Sequence, residues 1–150
     1  AREILRSLNV ESASVFEGEV DGIGLTHGKP IDAWDLEHIR GAYEQFIQES
    51  DALSERMRSA PLSPRESLVR RTELMNVWRA FPRLDPSLPL AHLPTDWPRA
   101  LAQARFTTLY DGLAAAALHR VREVVDRHDP GVAHFVTGHV MATGLAAYPG

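Results

Sequence analysis

Between Arg71 and Pro98 the chain reads RTELMNVWRAFPRLDPSLPLAHLPTDWP, and five of the ten prolines of the whole sequence fall in this stretch. Each proline fixes its own φ, removes an amide donor and pushes the residue before it out of the helical region. A helix entering this stretch must stop near Pro82, and the chain must cross to its next element as an extended connector through Pro86 and Pro89. Trp78, Phe81 and Trp97 lie in the same stretch, so the connector carries large apolar side chains that need a core. The fold open to such a chain is a set of helices built around that connector.

The segments on either side supply the helices. Asp35 stands as an N-cap ahead of Leu36, Ile39, Tyr43, Phe46 and Ile47, whose spacings of three and four predict an amphipathic helix over residues 35–58. Ser63, with Pro64 at the first helical position and Glu66 soon after, opens a second helix. Its apolar positions Leu68, Leu74, Met75, Val77, Trp78 and Phe81 cover a broad face that belongs at the centre of the core. Asp96 as a cap, or Trp97 ahead of Pro98, starts a third helix that runs to Arg127, and the alanines at 114–117 let another helix approach closely. Residues 129–150 are glycine-spaced and read as a loosely helical tail that packs on a partner. Upstream, residues 2–8 read as a short helix and 13–20 as a strand followed by Gly22 and Gly24. The expected fold is therefore mainly α: a helical bundle of about three long helices with a short N-terminal helix and one strand. Residues 1–24 read as the end of a preceding α/β unit, and residues 25–150 as a helical C-terminal domain.

With 150 residues and 44% hydrophobic content the chain can bury one proper core. It has no cysteine, which excludes disulfides, a thiolate nucleophile and Cys-ligated zinc. No long uncharged apolar run or signal-peptide core occurs, so the chain reads as soluble and cytoplasmic, with no membrane partner. His128, His134 and His139 stand six and five apart, not the three or four that places two ligands on one helix face, so no metal set is read. There is no GxSxG elbow, and GEVDGIG lacks both the phosphate-loop lysine and the dinucleotide glycine spacing. No catalytic residue, cofactor or metal site emerges, and the chain does not read as an enzyme.

Charge is unevenly spread. Residues 11–55 hold eleven acids against Lys29 and Arg40, whereas residues 56–83 hold seven arginines against Glu66 and Glu73. Two readings stand: solvated helix faces of opposite sign pair across a bundle, or the arginine forks form an anion site.

The run RTELMNVWRAFPRLDPSLPLAHLPTDWPRALAQARFTTLYDGL, residues 71–113, resembles the C-terminal domain of the PaaX family of transcriptional repressors of phenylacetate catabolism. The matching elements are Arg71, Trp78, Arg79 and Phe81, then Asp85–Pro86, Leu88–Pro89, Leu93–Pro94 and Asp96–Trp97–Pro98. Upstream, VFEGEV and AWDLEHIRGAYEQF at 33–46 fit as well. The chain departs from the pattern with Asn76, where the family often has histidine, and with Arg99, where glycine often follows DWP. The resemblance implies an effector-sensing and dimerisation domain that answers an aryl-CoA such as phenylacetyl-CoA. It also implies a homodimer, and DNA contact made by N-terminal domains: a winged helix and a ferredoxin-like domain, of which residues 2–20 would be the last helix and strand, so that this chain is a fragment. Arg71 and Arg79 are then candidates for the CoA phosphates, and Trp78, Phe81 and Trp97 for the aryl group. The competing readings are that these aromatics lock the connector onto the core, and that the domain is a structural or protein-interaction module without a small ligand.

The net charge of −4 and the lack of a helix-turn-helix pattern predict that this chain alone does not bind duplex DNA specifically. A mobility-shift titration near physiological salt checks this; sequence-dependent binding tighter than about micromolar would contradict it.

Overall fold

The computed structural model describes residues 34–89 and 93–141. The predicted helix at 2–8, the strand at 13–20, the division at residues 24 and 25 and the last nine residues lie outside the described residues. Within them the chain is helical: α1 (Leu36–Ser59), α2 (Pro64–Trp78), the single turn α3 (Phe81–Leu84), α4 (Arg99–Gly112) and α5 (Ala114–His128), then a 3-10 turn at Ala133–Phe135. No strand occurs among the described residues.

Local chemistry accounts for the helix starts. The Asp35 side chain accepts the His38 amide at 2.9 Å and caps α1. Ser63 and Glu66 form a full capping box at α2, with Pro64 in its first turn. α4 differs from expectation: Pro98 occupies the N-cap with no side-chain cap bond, and Asp96 instead holds Arg40 of α1 at 2.9 and 3.0 Å. The pairing of acidic α1 with the arginines at 56–83 is likewise replaced. Among the described residues the ion pairs that join elements are Arg40–Asp96, Arg99–Asp85 and Arg105–Asp51, while Arg58 and Arg70 pair within their own helices.

The expected third long helix is two helices. Leu113 ends α4 and begins α5, directly after Gly112, whose lack of a side chain weakens helical continuity. The break lets the two halves pack differently: α4 lies on α1 and α2, whereas α5 runs along α2. Small buried residues stand on both helices of this pair, Ser67 on α2, whose other buried residue is Leu74, and Ala114 and Ala117 on α5, and small side chains let helices approach closely. Residues 129–141 were expected as a tail for a partner, yet they fold back on their own domain. The Val136 carbonyl accepts from Arg122 at 2.8 and 3.0 Å, and the Met141 amide donates to Asp111 at 2.7 Å.

The connector is organised by Asp85. This carboxylate is 4% exposed and accepts from the Tyr43 hydroxyl of α1 (2.7 Å), the Ser87 amide (2.7 Å) and Arg99 of α4 (2.9 and 3.1 Å). The bond to Ser87 closes an Asx turn and holds that residue at φ 55°, a conformation costly for a residue with a side chain. Burial alone would push the Asp85 carboxyl up, but the donors from Tyr43, Ser87 and Arg99 outweigh it and hold it below the usual carboxylate range. Burial, and then the hydrogen bond to Asp85, push the Tyr43 phenol well above its ordinary value.

Asp85→Asn leaves the Arg99 guanidinium and the Tyr43 hydroxyl without their anion. It should cost about 3 kcal/mol at pH 7, the low end for breaking a buried pair because Arg99 is a quarter exposed. Because the folded state holds the carboxyl below its unfolded pKa, this stability is fully present above about pH 4 and is lost as the pH falls through the depressed value. Urea unfolding of both proteins at pH 7 and near pH 2.5 should show the gap closing in acid. A gap that is the same at both pH values would contradict the assignment.

Candidate functional site

The aromatic residues picked out by the sequence come together, but as core. Trp97 meets the edge of Tyr43 (6.4 Å between centroids), and Tyr43 stacks on Phe81 at 4.3 Å. Phe81 touches Trp78 (5.4 Å), which stacks on Phe106 (4.7 Å), and Phe106 in turn stacks on Tyr110 (5.3 Å). An arginine stands over each end of the series: Arg40 lies 5.5 Å from the Trp97 ring and Arg71 lies 3.8 Å from Tyr110. Phe81 and Trp97 are buried and Trp78 is half-buried, so the reading in which these rings lock the connector onto the core describes their packing.

The two candidate arginines part company. Arg79 is exposed at the end of α2. Arg71 faces the α4–α5 break, where its Nε donates to the Tyr110 carbonyl at 3.0 Å and its Nη2 to the carbonyl of His139. In an unbroken helix the Tyr110 carbonyl would take the amide of Ala114; here the guanidinium satisfies it. Arg71 thus ties α2, the end of α4 and the returning C-terminal segment together.

A concavity opens elsewhere, between α1 and α2. Its volume is about 340 Å³, within the range of small-molecule sites. Phe46, Leu53, Leu62, Leu74 and Val77 give it apolar walls. Charged residues surround these: Glu49, Glu66 and Glu73 against Arg56 and Arg70. A second hollow, about 350 Å³, adjoins it and shares Phe46, Glu49 and Val77, with Phe81 and Leu84 on its far side. Of the five residues singled out from sequence, Phe81 lines this second hollow.

Ser50 is the unusual member. The core seam of α1 runs Ile39, Tyr43, Phe46, Ser50, Leu53, Met57, alternating steps of four and three, and Ser50 is its one polar residue without a partner. It is 2% exposed, lines the first cavity, and its hydroxyl has no hydrogen-bond partner among the described residues. A buried hydroxyl left so costs about 1–3 kcal/mol. Sequence reading passed over it because the periodicity was scored on apolar side chains; a serine interrupting a strict apolar repeat was the available signal. Among the described residues no group of three or more His, Asp or Glu is placed to hold a metal ion, and no helix is long and apolar enough to cross a membrane.

The family model of the PaaX-like protein C-terminal domain matches residues 34–123, more than half of the chain. The chain belongs to this family. Its matched region spans α1 to α4 and most of α5, and so takes in the Asp85 cluster, the aromatic series and the cavity. No curated protein and no solved structure gives a significant match.

Arg71→Ala should lower stability by about 1–2 kcal/mol, through a lost hydrogen bond to the helix break and a lost cation–π contact. Arg71→Lys should not restore it, since an ammonium lacks the fork that reaches both carbonyls. Hydrogen exchange would locate the damage: the Met141 amide should lose protection while the amides of α1 keep theirs.

Proposed function

We propose that this chain is the effector-sensing and dimerisation domain of a PaaX-like transcriptional repressor, acting in the cytoplasm. The effector in this reading is an aryl-CoA such as phenylacetyl-CoA, and operator DNA is gripped by other domains of the regulator. The observation that carries the reading is the pair of adjoining hollows between α1 and α2, which a domain serving only as packing would fill. Their aromatic wall, formed by Phe46 and Phe81, suits an aryl group, and two joined compartments suit an elongated ligand. The arginine-rich run from Arg56 to Arg83 supplies positive charge near the end of α2, where Arg79 is exposed and available to a phosphate. Family membership supports a regulatory role over an enzymatic one.

Calorimetric titration of phenylacetyl-CoA, with free CoA as reference, tests the proposal. The aryl-CoA should bind at least tenfold more tightly than CoA alone, and Arg79→Ala should weaken it by about 1.5–3 kcal/mol, most strongly at low salt. Equal binding of the two ligands would remove the aryl-sensing role. Sedimentation of the chain, expected to give a dimer, tests the dimerisation half separately.

A further inference from the structure

We infer that the cavity between α1 and α2 is a binding site for a compact apolar group carrying one neutral carbonyl oxygen, which Ser50 recognises through its hydroxyl. This deepens the effector-sensing reading by assigning the site and its polar contact, and it rests on that reading for its biological meaning.

Three observations converge. The walls are apolar, and Phe46 belongs to the core aromatic cluster through Trp78 at 5.5 Å and Phe81 at 5.7 Å, so the floor is rigid and preformed. Among these walls stands the deeply buried Ser50 hydroxyl, which has no partner among the described residues. A site of this kind favours a ligand oxygen that completes the missing bond, once the Ser50 side chain turns its buried oxygen toward the ligand, over a purely hydrocarbon ligand that leaves the hydroxyl as it stands. The surrounding charges fix the sign of that oxygen. Arg70 is held by Glu73 at 2.9 Å, Arg56 donates to the Ala60 carbonyl at 3.1 Å, and Glu66 is engaged in the cap of α2. Among the described residues Glu49 accepts from the neutral Gln45 amide, at 2.9 Å. Three carboxylates thus stand against two guanidiniums around the cavity, and this excess of negative charge disfavours a carboxylate on the ligand relative to a neutral carbonyl.

Phenylacetamide is a suitable probe because it has an aromatic ring, a neutral carbonyl and no CoA. Ligand-observed NMR or calorimetry should give a dissociation constant on the order of a millimolar for this small molecule, with phenylacetate weaker by about tenfold or more. Ser50→Ala keeps the space and removes the hydroxyl. Phenylacetamide should then bind about three- to tenfold more weakly, while the thermal midpoint stays level or rises because an unsatisfied buried group is gone. Ser50→Leu fills the cavity and should abolish probe binding. An affinity untouched by Ser50→Ala, or a falling midpoint that marks the hydroxyl as a satisfied structural group, would overturn the inference. Phenylacetyl-CoA separates this failure from that of the effector reading. If it binds wild type and Ser50→Leu alike, sensing stands and this site falls. If phenylacetamide binds in a Ser50-dependent way while the CoA ester does not bind, the site stands and the aryl-CoA reading falls.

Discussion

One buried carboxylate holds this domain's parts in register. Asp85 sits where α3 ends and the proline-rich connector begins, and its two oxygens take donors from α1, from the connector itself and from α4. A carboxylate is expensive to bury unless its lone pairs are filled, and here four donor contacts fill them. The prolines remove backbone donors from the connector and leave it little hydrogen bonding of its own. The side chain of Asp85 supplies what the backbone cannot, and the aromatic rings of Tyr43, Phe81 and Trp97 then close over the same point.

Much of this was written legibly in the chain. The starts of α1 and α2 could be placed to within a residue because they carry Asp35, Ser63 and Pro64, whose chemistry is local, whereas α2 ends at Trp78, short of the stop expected near Pro82, and leaves Phe81 to α3. The α4–α5 break was not legible: the apolar stripe from Leu101 to Val124 continues through Leu113 without a change of period, and only Gly112 marks the spot. The guanidinium that meets the Tyr110 carbonyl there comes from Arg71, thirty-nine positions away. Arg99 shows the same limit. It stood out as a departure from the family pattern, yet its use, closing the Asp85 cluster, depends on a partner fourteen residues back across the connector. The fold-back of residues 129–141 is likewise a matter of long-range partners, Arg71, Asp111 and Arg122, that no local period announces.

For the site, the sequence leaves two readings of Trp78, Phe81 and Trp97 open, an aryl cage or a lock of the connector onto the core; in the structure Trp78 and Trp97 lie in the packed ring series, and Phe81 also lines the second hollow. The first hollow opens between α1 and α2 beside a small, polar residue of the α1 seam, Ser50. Large side chains announce themselves in a sequence; a shortfall of volume at Ser50 does not, because it is a property of what faces it.

The aromatic series also makes the domain its own optical instrument. The chain has three tryptophans, and the two within the core sit in contrasting surroundings. Trp97 is 8% exposed, with no partner for its indole N–H among the described residues and Arg40 over its ring, while Trp78 is half-buried, stacked on Phe106 and in contact with Phe46 at the cavity wall. Emission from Trp97 follows the integrity of the connector, and emission from Trp78 follows events beside the cavity. Because only Tyr43 and Phe81 lie between them in one line of ring contacts, excitation placed on one indole is within reach of the other, and unlabelled protein carries a built-in gauge of how closely the connector and the end of α2 are held together.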